Sequence, residues 1–122
     1  MIINLASVNE YVNAFNEIKS DFTDGHQSML SANYHATNHT STTKNLAIAA
    51  GYKSYRGVNL QYGILGRKLA ESRNWSSPQH SDGSTFIPSE FLVKWDKRND
   101  GWYCILHQQV VEALEITGLT GG

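Results

Sequence analysis

Cysteine, proline and long hydrophobic runs are all scarce in this sequence. Cys104 is the single cysteine and has no partner for an intrachain disulfide, and two prolines occur among 122 residues. No stretch approaches the ~20 apolar residues that a membrane-spanning helix requires. The first residues, MIINLAS, lack the basic leading region of a secretory signal. These absences argue against a disulfide-stabilised secreted protein and against a membrane protein, so we expect a cytoplasmic protein without membrane contact.

The composition is that of a globular chain, and its length fits one domain. The net charge is −1, but the charges are segregated along the chain. Residues 40–75 hold six Lys or Arg against Glu71 alone, a net +5, whereas residues 1–39 and 76–122 each carry −3. Such asymmetry can create a local phosphate-binding face on a protein that is not basic overall. Ordinary surface charge is the alternative interpretation.

Two amphipathic helices are predicted in the first third of the chain. Ser7 and Glu10 have the spacing of a capping box, which starts a helix. The apolar residues that follow recur every three or four positions and predict a buried face. A second cap pattern begins at Asp24 and predicts a helix that ends near Ala36. The polar run at 37–41 should end this second helix. The predicted buried face of the first helix comprises Val8, Tyr11, Val12, Phe15, Ile18 and Phe22.

A helix-turn-helix pattern follows at about Thr42–Ser72. Ser41 or Thr42 can cap a short helix over Lys44–Ala50, which Gly51 ends because glycine adopts the left-handed conformation without steric cost. Ser54 can then cap a longer helix over Tyr55–Ser72. A short helix, a glycine-containing turn and a longer helix are the elements of a helix-turn-helix, although many helical hairpins share this spacing.

The last third predicts a loop, a hairpin and a helix. Residues 73–90 have the composition of turns. Two aromatic and β-branched runs flank Asn99-Asp100-Gly101 and predict a β-hairpin over residues 91–106. A final helix at 107–117 should stop at Gly118. We therefore predict one α+β domain over residues 1–122, with N-terminal helices at 7–36, a helix-turn-helix at 42–72, a loop at 73–90, the hairpin and the final helix.

The face of the long helix that should point away from the core carries the most informative chemistry. At ~100° per residue, Val58, Tyr62, Leu65 and Leu69 form the inward stripe. Arginine can pair with guanine, asparagine with adenine, and an apolar side chain with the thymine methyl group in a DNA major groove. Each glycine costs a helix ~1 kcal/mol relative to alanine, so close backbone approach to DNA or to another helix must compensate. The outward side presents Arg56, Asn59, Leu60, Gly63 and Arg67, and the helix also contains Gly57 and Gly66.

These observations predict a DNA-binding set that extends beyond the helix. Lys97 and Arg98 at the hairpin tip could contact a phosphate backbone, although Asp96 and Asp100 flank them and a solvated turn is the simpler interpretation. Lys44, Lys53 and Arg73 are expected to contact phosphates. The predicted set is Lys44, Lys53, Ser54, Tyr55, Arg56, Asn59, Gly63, Arg67, Arg73, Lys97 and Arg98.

No catalytic or metal-binding pattern emerges, and we expect neither enzymatic activity nor a cofactor. His35 and His39 have the four-residue spacing of helical metal ligands, but no third ligand or carboxylate base accompanies them. Cys104 lies in an apolar alternating run typical of a core strand. The three tryptophans, Trp75, Trp95 and Trp102, could stack on an exposed base but more often fill cores and hairpins.

Two segments resemble a known kind of module. They are Thr43–Glu71 (TKNLAIAAGYKSYRGVNLQYGILGRKLAE) and Trp102–Glu115 (WYCILHQQVVEALE). Together they resemble winged helix-turn-helix modules that occur alone or attached to HNH-type restriction nucleases in bacteria and phages. The resemblance covers about half of the chain. It implies a winged-helix fold, with the hairpin as the wing, and DNA binding in transcription regulation, host defence, anti-defence or mobile-element regulation. It does not imply nuclease activity.

Two functions therefore stay open at the level of sequence. In the first, a monomer or a homodimer binds double-stranded DNA, and its affinity depends on the DNA sequence or on base modification. The alternative is a phage or mobile-element protein that binds and inhibits a protein partner with the same fold. Leu60 and Ile64 on the outward side of the long helix favour the alternative if they form an exposed apolar patch.

Overall fold

The computed structural model, which describes residues 2–3 and 5–120, has an α+β architecture, as predicted. A three-stranded antiparallel sheet, with residues 101–106 between residues 40–42 and 93–98, packs with five helices, and residues 2–3 pair separately with residues 79–80. No helix in the described ranges is both long and apolar enough to cross a membrane. The elements in chain order are β1 (Ile2–Ile3), α1 (Val8–Ile18), α2 (Asp24–His35), β2 (Thr40–Thr42), α3 (Thr43–Ala50), α4 (Tyr55–Arg73), β3 (Gln79–His80), β4 (Val93–Arg98), β5 (Gly101–Leu106) and α5 (Gln108–Thr117).

The helix caps explain where the helices begin and end. Ser7 accepts a hydrogen bond from the Glu10 amide (3.2 Å), as predicted, but the Glu10 carboxylate binds Arg73 and Trp75 instead of completing the capping box. Gly51 ends α3 with a φ of +78°, and Gly118 ends α5 with a φ of +69°. Both values lie in the left-handed region that favours glycine. The predicted cap at Asp24 is wrong by one residue: Thr23 accepts from the His26 amide (3.0 Å), and Asp24 is the first residue of α2.

The hairpin is confirmed, with a later start than predicted. Residues 88–91 form a 3₁₀ turn, and β4 begins at Val93. Arg98 pairs with Gly101 across a two-residue tip. β2, which pairs with β5, lies where the sequence predicted an irregular polar run. Its three residues, Thr40–Thr42, are too few to show a periodicity, and the strand depends on a partner 61 to 65 positions away.

One hydrophobic core unites the helices with the inner face of the sheet. The four-residue stripe predicted for α4 is fully buried there. Tyr11, Phe15 and Ile18 of α1 are buried as predicted, whereas Val8, Val12 and Phe22 are half-buried. Cys104 is fully buried among them. The inward stripe of α4 is therefore fixed, which leaves the opposite side of this helix at the surface.

A buried polar contact fixes α4 against the sheet. Asn33 of α2 is fully buried and donates hydrogen bonds to the carbonyl oxygens of His39 (3.0 Å) and Cys104 (3.2 Å). The Tyr62 hydroxyl of α4 donates to Asn33 Oδ1 (2.8 Å). Buried polar groups cost free energy unless they are paired, so this arrangement favours one orientation of α2 and α4 on β5.

Candidate nucleic-acid interface

Three adjoining cavities lie along the outward side of α4 and reach the hairpin. The tip cavity, about 480 Å³, lies between α3 and the hairpin tip and includes Lys44, Lys53 and Lys97. The aromatic cavity, about 390 Å³, shares Thr43, Tyr55 and Trp102 with it. The α4 groove, about 310 Å³, continues from the aromatic cavity. We call the residues that line these three cavities the candidate surface; its α4 members are Tyr55, Arg56, Asn59, Leu60, Gly63, Ile64 and Arg67.

The start of α4 positions the first of these side chains. The Ser54 hydroxyl accepts a hydrogen bond from the Arg56 amide (3.3 Å), so Ser54 caps the helix as predicted. Residues 51–54 form the turn that separates α3 from α4. Tyr55 is 53% exposed, and Arg56 and Asn59 are also exposed. The short turn therefore presents the first two turns of α4 to solvent beside the hairpin.

Five cations meet on the candidate surface, and none forms an ion pair with another described residue. Two carboxylates also line the surface. Glu90 lies 2.9 Å from His80 Nε2 and accepts from the Ile87 amide, and Asp100 accepts from the Tyr103 hydroxyl. With five cations against these two carboxylates, the surface keeps a positive excess. The five cations are Lys44, Lys53, Arg56, Arg67 and Lys97.

Arg73 lies apart from the other predicted DNA-binding residues. Its Nε donates to Glu10 Oε2 (3.1 Å), and its Nη1 donates to Glu17 Oε1 (2.8 Å). The Arg73 guanidinium, together with a hydrogen bond from Trp75, holds the pKa of Glu10 below its ordinary value. Arg73 therefore ties the end of α4 to α1, and it lines none of the three cavities.

The two cations of the hairpin tip lie on opposite faces of the sheet. Consecutive strand residues point to opposite faces, and Lys97 shares its face with Trp102, directly across the ladder. Lys97 Nζ lies 5.4 Å from the centre of the Trp102 ring. Arg98 faces away, where it binds Asp96 (2.9 Å) and stacks 4.2 Å from the centre of the Tyr103 ring. The structure thus brings Lys97, but not Arg98, to the candidate surface.

The three glycines of α4 have different surroundings. A Cβ atom on Gly66 would lie 1.9 Å from the Pro88 carbonyl oxygen, so this glycine allows the 88–91 turn to pack on α4. A Cβ on Gly57 would lie 2.9 Å from Tyr52 Cβ. Gly63 has no such neighbour within 4 Å among the described residues and lines the α4 groove. Packing within the protein explains Gly57 and Gly66, and Gly63 leaves bare backbone on the candidate surface.

Large hydrophobic side chains are also concentrated on this surface. Six are exposed in the described part of the chain, and all but Ile116 line the three cavities. Leu60 is 61% exposed, and no residue of α1 lines the groove it shares with Ile64. The sequence pointed to Tyr55, Leu60 and Trp102 but not to Ile48 and Ile87, because the exposure of these two depends on which face each element buries. The five are Ile48, Tyr55, Leu60, Ile87 and Trp102.

The residues considered for other chemistry lie elsewhere. His35 is exposed at the end of α2, and the His39 ring is hydrogen-bonded to the Tyr34 carbonyl (2.6 Å). Among the described residues, no three His, Cys, Asp or Glu side chains are grouped as metal ligands. Burial raises the pKa of the Cys104 thiol to about 12, which keeps it protonated near neutral pH. Trp75 packs edge-on against Tyr11 in the interior.

No protein-family model, curated protein or solved structure matches the chain. The resemblance to winged helix-turn-helix modules therefore stays a prediction.

Proposed function

We propose that this protein binds double-stranded DNA through a winged helix-turn-helix, with α4 in the major groove. The observation that carries the proposal is the convergence of five cations on the outward side of α4 and the adjoining hairpin, none of them ion-paired with another described residue. The arrangement of elements supports the same function. α3 and α4 are joined by a four-residue turn that contains Gly51, and the β4–β5 hairpin lies beside the start of α4 as a wing would.

The outward residues of α4 are suited to reading base edges. Arg56 and Arg67 can each form bidentate hydrogen bonds with guanine, and Asn59 can do so with adenine. Gly63 lies between them with its backbone uncovered, so a base pair or sugar could approach the helix closely at this point. These residues supply the part of the binding free energy that depends on DNA sequence.

The lysines at the edges of the surface are suited to phosphate contacts. Lys44 is on α3, Lys53 is in the turn and Lys97 is near the hairpin tip, so the three approach the tip cavity from different elements. Such contacts fix the position of a protein on the duplex without reading its sequence. Because the protein carries a net charge of −1, we expect modest affinity for DNA of unrelated sequence.

A salt titration tests this proposal. Affinity for a fluorescent 20-base-pair duplex would be measured by anisotropy between 50 and 300 mM NaCl, after selection of a preferred sequence from a randomised pool. Neutralisation of three to five phosphates gives a slope of log K against log salt between about −2.7 and −4.5. No detectable duplex binding at low salt, or a slope near zero, would refute the proposal.

The exposed apolar residues favour a second candidate, the binding of a protein partner. Ile48, Leu60 and Ile87 lie on the same surface as the cations, and a contiguous apolar patch commonly marks a protein interface. Tyr, Trp and Arg, which are also present, are the residue types that dominate protein interfaces. The partner could be a second copy of this chain or another protein.

Leu60→Lys separates the two candidates. The lysine adds a cation beside Arg56 and Arg67, so DNA binding should persist or strengthen. A protein interface centred on Leu60 would be lost, because a charge would replace a 61%-exposed apolar side chain at its centre. DNA affinity by anisotropy and oligomeric state by sedimentation would be measured on the same preparation. Ile116→Lys is the matched control, since Ile116 is exposed away from the candidate surface.

A further inference from the structure

The aromatic cavity has three aromatic walls, each from a different element of the fold. Tyr55 from the start of α4, Trp95 from β4 and Trp102 from β5 all line it. Trp95 and Trp102 point to the same face of the sheet, at diagonally adjacent positions of the ladder. The volume of about 390 Å³ lies within the range of small-molecule sites, ~300–1,000 Å³.

These three rings are not stacked on other aromatic rings. None of them makes a ring-to-ring contact with another described residue, whereas Trp75 packs against both Tyr11 (4.9 Å between ring centres) and Phe91 (5.5 Å). Trp102 is 43% exposed, and Tyr55 is more exposed still. Trp75 and Trp95 are both partly buried against the core, while the rings of Tyr55 and Trp102 are exposed and can stack on a flat ligand.

The cavity is held in shape and also offers hydrogen-bonding groups. The Trp95 Nε1 donates to Ser89 Oγ (2.9 Å), which fixes the orientation of that ring. Thr43, Asn59 and Glu90 supply a hydroxyl, an amide and a carboxylate along the lining. Nucleobases combine a flat stacking surface with donors and acceptors at the edge, and proteins that hold unstacked bases use the same two kinds of contact.

The charges around the aromatic cavity distinguish between a cationic ligand and an anionic one that carries a flat ring. Three aromatic walls can also hold a quaternary ammonium group. Here, however, Arg56 lies 6.0 Å from the Tyr55 ring centre and Lys97 lies 5.4 Å from the Trp102 ring centre. Against these two cations stands one carboxylate of the lining, Glu90, so the local excess is positive; it disfavours a cationic ligand and favours one that brings negative charge with its ring. A base attached to a phosphate backbone has this combination.

We infer that the aromatic cavity receives one unpaired base of a nucleic acid, stacked on Tyr55 and Trp102 while Arg56 and Lys97 attract its phosphates. The inference rests on the proposed function for the location of the nucleic acid, and it adds the recognition of a base outside the double helix. A duplex with an unpaired base should therefore bind more tightly than the fully paired duplex, because no base pair has to be broken before stacking.

The test compares two duplexes of the same sequence, one fully paired and one with a single bulged 2-aminopurine, and also the bulged strand alone. We expect the bulged duplex to bind about 5- to 100-fold more tightly, and stacking on the aromatic walls should change the 2-aminopurine fluorescence on binding. Trp102→Ala and Tyr55→Ala should each reduce this preference to less than about 3-fold and abolish the fluorescence change. Tyr103→Ala, on the opposite face of the hairpin, is the matched control and should keep both.

The outcomes separate this inference from the proposed function. If both duplexes bind equally and the fluorescence does not change, the inference is wrong although duplex binding stands. If the bulged duplex or single strand binds with a fluorescence change and the paired duplex does not bind, the inference stands and the proposed function fails. If none of the three binds, both fail. A preference that persists in both Trp102→Ala and Tyr55→Ala, with unchanged thermal unfolding, places the base elsewhere and overturns the inference.

Discussion

Arg67 and Arg73 lie fewer than two turns apart on α4, yet their surroundings differ completely. Arg73 is held by Glu10 and Glu17 of α1, whereas Arg67 lines the α4 groove without a carboxylate partner among the described residues. The hairpin repeats this contrast, because Asp96 binds Arg98, whereas no carboxylate in the described part of the chain binds its neighbour Lys97. The net charge of a sequence segment therefore does not predict the charge of the surface that it forms. Acidic residues from distant segments pair with some cations and leave others without a carboxylate partner.

Two of the three glycines of the same helix sharpen the comparison, with the largest expected effect on stability. Gly66→Ala places a Cβ against the Pro88 carbonyl and should lower the free energy of unfolding by roughly 1–3 kcal/mol. Gly63→Ala meets no described neighbour and should raise it by up to about 1 kcal/mol through helix propensity. Urea denaturation of both variants measures these changes. A stabilising Gly66→Ala would mean that α4 and the 88–91 turn do not pack as described.

The two arginines should also differ in their effect on folding. Arg73→Ala removes the partner of two carboxylates and should lower the midpoint of thermal unfolding, while Arg67→Ala should leave it unchanged. Hydrogen bonding to Arg73 lowers the pKa of Glu10 from 4.5. The stability that the Glu10 carboxylate contributes is therefore present above pH 4.5 and is lost as the pH falls through the lowered pKa. The difference between wild type and Arg73→Ala should therefore shrink in acid. Equal midpoints for both variants at pH 7 would contradict the contrast.

His107 gives a smaller, pH-dependent effect on the side of the molecule that supports the aromatic cavity. Its ring is hydrogen-bonded to the Glu90 carbonyl (2.7 Å), and burial lowers its pKa from 6.5. The unfolded chain then binds a proton more readily than the folded protein, so stability should fall as the pH drops below 6.5. His107→Gln should flatten the stability profile between pH 7.5 and 5.5. An unchanged profile in this variant would show that other groups cause the dependence.

A last comparison concerns two residues of β5. Cys104 and Trp102 share a face of the strand, but Cys104 is fully buried and Trp102 is 43% exposed. Because burial raises the thiol pKa to about 12, a thiol-reactive dye at pH 8 should label native Cys104 many times more slowly than the urea-unfolded chain. Rapid labelling of the native protein would mean that the sheet opens at the position next to the candidate surface.

Local patterns predicted much of the fold, and nonlocal contacts account for what they missed. The Ser7 and Ser54 caps, the glycine stops at Gly51 and Gly118 and the inward stripe of α4 depend on neighbours within a few positions, and all are confirmed. Strand β2 depends on a distant partner and was missed. For the candidate surface too, the sequence predicted only the local part, the outward side of α4, from helical spacing. It did not predict the ion pairs of Arg73 or the aromatic cavity, because both depend on tertiary packing.

The most direct test of the account compares the duplex affinity of three variants at 100 mM salt. Arg56→Ala combined with Arg67→Ala should weaken binding by at least about 30-fold, since each such contact contributes about 1 kcal/mol or more. Arg73→Ala should stay within about 2-fold of wild type, as should Lys68→Ala, a control for loss of charge on the same helix away from the three cavities. The account would be contradicted if Arg73→Ala lowered the duplex affinity as much as the double variant does, or if the double variant bound DNA with wild-type affinity.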